Sequence, residues 1–175
     1  MAGKNRRVVL YGNPALRTKA RRVERIDAET RRFFEDLKTT MVEQDGVGLA
    51  ANQVGEPVAI IAVNPRGDDE RPRPICVVNP EIVEREGEVE HEEGCLSLPG
   101  LFDVVLRPAR VVVRGLDESG KPARYEATGL LARAFCHEID HINGVLFIDH
   151  IGPTRRRMLA AKLAELQQRE KAECG

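Results

Sequence analysis

At 175 residues, with 42% hydrophobic and 31% charged content, the chain can bury one real core and has the balance of a soluble globular protein. A formal net charge of −1 excludes a protein held on DNA by bulk charge, and no apolar run approaches the roughly 18 residues of a membrane span. The basic N-terminus carries too short an apolar stretch for a secretory signal, so a cytoplasmic protein of one catalytic domain over 1–175 is expected.

Met1–Arg7 is polar and reads as frayed. The segment holding Arg17, Lys19, Arg21, Arg22 and Arg25 has no helical or strand period and reads as a solvated basic loop. Asp27 is a candidate N-cap, with Glu29 in the first turn. Phe34, Leu37 and Met41 follow at helical spacing, which predicts an amphipathic helix over 28–45 closed by Gly46. The run Gly46–Gly55 is dense in small residues, so backbone can come close to another group. It is not a phosphate loop, because no Lys-Ser/Thr follows.

Strands are predicted over 57–63, 75–78, 81–84, 103–106, 109–116 and 123–127, with a surface loop over 64–74 and a hairpin turn at Asp117–Gly120. The acidic stretch 86–93 reads as a half-exposed strand, with His91 at the surface. Glu93-Gly94-Cys95-Leu96-Ser97 sets a cysteine beside glycine at a strand end or turn. A helix runs from Gly129 to Gly144, and a terminal amphipathic helix over about 153–173 begins at Pro153. Met158, Leu159, Leu163 and Leu166 lie on one side of that last helix. No internal repeat or second core is visible. The pattern is α+β: short antiparallel sheets around a central helix, with amphipathic helices near both ends.

That central helix carries FCHEIDHING, in which His137, Glu138 and His141 spell H-E-x-x-H. Residues four apart share a helix face, so both imidazoles can reach one metal ion, and Glu138 is close enough to address a water there. Random order of the chain's 4 histidines and 19 glutamates would give the pattern about 0.01 times. Leu130, Ala134, His137 and His141 share one face, while Leu131, Phe135, Ile139 and Ile142 form a second stripe for the sheet. A catalytic site needs a third ligand and an open position. Cys95, in its glycine-flanked turn, is the strongest candidate. Cys136 points about 100° away from His137, and Cys76 and Cys174 read as ordinary thiols, since disulfides are rare in the cytoplasm.

GVGLAANQ (Gly46–Gln53), EGCLS (Glu93–Ser97) and HEIDH (His137–His141) resemble, in order and spacing, the three signature motifs of peptide deformylases. The similarity extends from NPALRT, near Arg17, to FIDHI at Ile151. It departs at Cys136, where the family often has Gln. The resemblance implies one Fe²⁺ per chain, with Zn²⁺, Ni²⁺ or Co²⁺ as substitutes, held by Cys95, His137 and His141. It implies Glu138 as general base, and Gln53 and the Leu96 backbone N–H as oxyanion partners. The implied reaction is hydrolysis of the formyl group from N-terminal formylmethionine of newly made polypeptides. Backbone at Gly46, Val47, Gly48 and Gly94 would receive the peptide as an added strand, and Leu130, Arg133, Ala134 and His137 would line the methionine pocket.

Two rivals stand beside this. A metalloprotease more usually takes Glu or His as third ligand, and a structural zinc site needs a fourth ligand, Cys136 or His91. The basic residues Arg155, Arg156, Arg157, Lys162, Arg169 and Lys171 of the last helix suggest a ribosome contact against the simpler expectation of a solvated face. No membrane or DNA partner is expected.

Overall fold

The computed structural model describes residues 2–65 and 72–175. Residues 66–71, the middle of the expected 64–74 loop, lie outside the described residues, as does Met1. Helix α1 spans Ala28–Glu43, and Asp27 caps it by accepting from the Thr30 N–H at 2.9 Å. Its end differs from the sequence expectation. Asp45, not Gly46, takes the left-handed conformation (φ 52°). The Asp45 N–H donates to the Val42 carbonyl and the Gly46 N–H to the Met41 carbonyl, which closes a Schellman motif. Aspartate tolerates this conformation because its short polar side chain can bond locally.

Strands β1 (Gly48–Ala50), β2 (Ile60–Val63), β3 (Ile75–Glu86), β6 (Arg110–Leu116) and β7 (Pro122–Thr128) form one antiparallel sheet in the order β1-β2-β3-β6-β7. Strands β4 (Val89–Cys95) and β5 (Leu98–Arg107) form a separate antiparallel pair. Strands β3 and β5 are longer than expected, whereas β2 is shorter than its expected 57–63. β3 joins two predicted pieces across Asn79 (φ 50°) and Pro80, where the register shifts between Val78 and Glu81. A bulge of this kind is where a strand accepts proline.

Alternation along the sheet explains the layers. Ile61, Val63, Val77, Val111 and Val113 face helix α2 (Gly129–Ile142), meeting Ala132, Phe135, Ile139 and Ile142. Ile60, Ala62, Cys76 and Val78 face the other way, against Phe33, Phe34, Leu37 and Met41 of α1. The helix with H-E-x-x-H is therefore buried against the centre of the sheet. The core is divided into three clusters, not gathered into one. In the third, Leu98, Leu101 and Val105 of β5 meet Phe147 and Ile148, and the C-terminal helix covers them.

That C-terminal element is broken into α3 (Pro153–Met158) and α4 (Ala160–Cys174) around Leu159. Because one helical period does not run through the break, Met158 is 78% exposed, against expectation, while Leu163 and Leu166 are buried. Each of those leucines contributes about 1.5–3 kcal/mol to docking. Glu170 is buried beside them, accepting from the Leu10 N–H at 2.8 Å, Asn13 at 2.7 Å and Arg7 at 2.6 Å. The N-terminal segment is not frayed from Lys4 onward. The Lys4 N–H donates to Asp36, the Arg6 N–H to Thr40, and the Arg6 guanidinium pairs with Asp36. All four cysteines are free thiols, and no helix among the described residues is long and apolar enough to cross a membrane.

Candidate metal centre

His137 and His141 are one turn apart on α2, and their Nε2 atoms lie 3.1 Å from each other. Cys95 ends β4 at a register shift that turns its side chain out of the pleat. Its Sγ is 3.3 Å from His141 Nε2. One donor atom from each of Cys95, His137 and His141 falls within 4.8 Å of the others. His91 is exposed and stands outside this cluster, as does the buried Cys136.

His137 is held by a hydrogen bond from Nδ1 to Glu93 at 2.9 Å. That bond leaves the Nε2 lone pair aimed at His141 and Cys95. Glu93 in turn receives two hydrogen bonds from Arg107, at 3.0 and 2.8 Å, and Arg107 also reaches Asp140 at 2.7 Å. Arg107 is only 5% exposed. Burial would raise the Glu93 carboxyl, but the bonds from His137 and Arg107 outweigh it and hold its pKa at about 2. Glu93 is thus a fixed anion behind the imidazole. Burial also disfavours a charged His137, yet its contacts with Cys95 and Glu93 win and raise its pKa well above the ordinary value. At His141, burial and the neighbouring His137 both act to lower it. A thiol and two imidazole nitrogens converge at one point. A soft-to-borderline divalent cation fits that donor set.

Glu138 is 3% exposed, and its Oε2 has no hydrogen-bond partner among the described residues. Burial pushes its pKa up to about 7. Gly48 explains how it fits. A Cβ at position 48 would sit 2.6 Å from Glu138 Oε1 and 2.7 Å from its Cγ. Gln53 is also buried, with Oε1 accepting from the Ala50 N–H at 2.9 Å. That bond fixes the amide so that Nε2 points to Cys95 Sγ at 3.5 Å and Ser97 Oγ at 3.3 Å. The buried side of the centre thus holds an acid–base group and an amide donor, each set by a neighbour.

These groups form the floor of an open groove of about 520 Å³. The structure brings Gly46, Val47, Gly48, Gly94, Leu130, Arg133 and Ala134 to its lining, together with Gln53, Cys95, Leu96, His137 and Glu138. Phe102 also lines it, and its ring lies across Gly94, where an added Cβ would come within 2.5 Å of it. Sequence reasoning missed Phe102, Arg107 and Asp140. Phe102 and Arg107 flank the strand expected over 103–106, and Asp140 stands inside the H-E-x-x-H segment beside His141, so position next to those elements was their one signal. A larger groove of about 810 Å³ lies at the N-terminal end of α1, lined by Arg6, Arg21, Arg22 and acidic residues. It holds none of the cysteine or histidine side chains, and we set the chemistry in the smaller one.

Comparison with known proteins agrees with this geometry. The polypeptide deformylase family matches residues 5–157. A peptide deformylase of Mesorhizobium japonicum is 44% identical over 160 residues, covering 91% of this chain and 91% of that one. One from Syntrophobacter fumaroxidans is 46% identical, covering 89% and 91%. The crystal structure of a peptide deformylase from Legionella pneumophila superposes with a TM-score of 0.86 at 40% identity, covering 95% of this chain and 98% of that one.

Proposed function

The chain belongs to the polypeptide deformylase family, and from that premise we propose that its groove hydrolyses the formyl group from N-terminal formylmethionine of nascent polypeptides, releasing formate. It is a metal-dependent hydrolase. We assign Cys95, His137 and His141 as ligands of a single Fe²⁺, for which Zn²⁺, Ni²⁺ or Co²⁺ can stand in. The observation that carries this is the convergence of their three donor atoms beside a buried Glu138 carboxylate whose Oε2 has no hydrogen-bond partner among the described residues.

A divalent ion bound there supplies Lewis acidity, lowering the pKa of a water and polarising the formyl oxygen. Glu138, poised near neutrality by burial, takes the proton of the attacking water and returns one to the departing amine. Gln53 Nε2 and the Leu96 backbone N–H donate to the oxygen on which charge develops. Backbone at Gly46, Val47, Gly48 and Gly94 aligns the substrate as an added strand, and Leu130, Arg133 and Ala134 flank the methionine side chain. Glu93 and Arg107 hold His137 in the tautomer this requires.

The test is formate release from formyl-Met-Ala-Ser by anaerobically iron-loaded protein, with acetyl-Met-Ala-Ser as control. Glu138→Gln is expected to keep the metal and lose roughly 10²–10⁴-fold in kcat. No release by the loaded wild type would overturn the assignment. The setting we propose is the cytoplasm, near the ribosome. Arg155 and Arg156 are committed to Asp103 and Asp149, but Arg157, Lys162, Arg169 and Lys171 have no ion-pair partner among the described residues and are exposed. Those four are the groups available for phosphate contacts, which co-sedimentation with ribosomes at low and high salt would detect.

A further inference from the structure

Alternation along β5 is reversed on its outer side. Phe102, Val104 and Leu106 are 60%, 41% and 50% exposed, where a solvent-facing row normally carries polar side chains. Across the pair, Gly94, Glu92 and Glu90 stand opposite them. The outer face is therefore an apolar row beside an acidic one. Phe102, Glu92 and Gly94 also line the metal-centre groove, so the face begins at the groove and runs away from it for about 13 Å.

We propose that this face is an extended subsite for the polypeptide beyond its first residues, favouring chains that combine basic and aliphatic side chains. The proposal rests on the deformylase reading of the groove. Two features select a nascent chain as occupant. The apolar row is continuous with the groove that takes the formylated end, so a bound chain leaving the groove along β5 passes over it. Its length is that of about four residues of extended chain, from Phe102 to Leu106. The Glu90 and Glu92 carboxylates complement lysine or arginine and repel acidic segments.

The experiment compares kcat/KM for formyl-Met-Ala-Ser, formyl-Met-Ala-Ser-Lys-Leu-Lys-Leu and formyl-Met-Ala-Ser-Glu-Leu-Glu-Leu. The Lys-Leu peptide is expected to exceed the tripeptide roughly tenfold, the effect of covering about one exposed aliphatic side chain, and the Glu-Leu peptide to show no such gain. In Val104→Ser/Leu106→Ser the gain should vanish while tripeptide turnover stays, which also certifies folding. Glu90→Lys should abolish the preference for Lys-Leu over Glu-Leu. An unchanged gain in both variants overturns the proposal, as does a dimer in sedimentation velocity that the serine pair dissolves, which would give the face to self-association. Failure of the wild type on the tripeptide would instead overturn the deformylase reading, and this one with it.

Discussion

Gly48→Ala isolates the placement of Glu138 from its chemistry. The new methyl carbon would lie 2.6 Å from Glu138 Oε1, 2.7 Å from Cγ and 2.9 Å from Cδ. Ordinary contact begins near 3.4 Å, so the carboxylate must move by about 0.8 Å. The clash with Cγ cannot be relieved by rotating the carboxylate alone, and Glu138 is 3% exposed. A misplacement of about 1 Å at a reacting group costs roughly 10²-fold. The expected result is kcat for formyl-Met-Ala-Ser down about 100-fold, with metal content by mass spectrometry unchanged, since the three atoms nearest the added methyl all belong to Glu138. Thermal melting should report a loss of about 1–3 kcal/mol for the added bulk. Wild-type kcat in Gly48→Ala would refute the claim that this glycine sets the general base, and loss of the metal would show that the change acts through the ligands instead.

Glu93→Gln should weaken metal affinity about 10–100-fold, measured by chelator competition, because the His137 ring loses its anionic anchor while Arg107 loses its bidentate partner. Iron-loaded protein should lose activity in air or peroxide through oxidation of the Cys95 thiolate, and Co²⁺ or Ni²⁺ loading should protect it. Cys136→Ser should leave metal stoichiometry unchanged, and loss of the metal there would reverse the assignment of Cys95. Glu170 titrates at about 2 in the folded chain, against the ordinary value of 4.5: burial opposes this, but bonds from Asn13, the Leu10 N–H, Cys174 and Arg7 outweigh it. A depressed folded pKa gives stability that is present above about 4.5 and is lost as pH falls toward 2. Glu170→Gln should therefore cost about 1–3 kcal/mol at pH 7 and progressively less below pH 4.5 by urea denaturation, and a pH-independent difference would show that the charge is not what holds α4.

The motifs were legible because each is local. His137, Glu138 and His141 keep their spacing on any helix, and the small residues at Gly46–Gly48 announce close approach without saying to what. The partner proved to be Glu138, about 90 residues away, which only the packing of α2 on β1 decides. The strand pattern was legible for a related reason, since Ile60–Val63 alternate between the two helices of the sandwich. Errors fell where tertiary contacts override local character. Polar residues at Lys4–Arg7 look unanchored until Asp36 and Thr40 of α1 supply their partners. Met158 fits the apolar stripe only if the helix is continuous through Leu159, and it is not.

Arg107 shows most clearly what single-residue reading misses. In the sequence it lies just past the strand expected over 103–106. In the fold, the antiparallel register of β4 and β5 brings it beside Glu93, with Asp140 of α2 on its other side. A guanidinium that is 5% exposed would be costly alone. Between two carboxylates it is satisfied, and its charge keeps Glu93 ionised in an environment where burial favours protonation. The ionised Glu93 then holds the proton on His137 Nδ1, which leaves Nε2 free to face Cys95 and His141. The order of dependence runs from sheet register to arginine to carboxylate to imidazole. A chain with all three motifs intact but the β4–β5 register shifted by one residue would carry the ligands without the means to aim them.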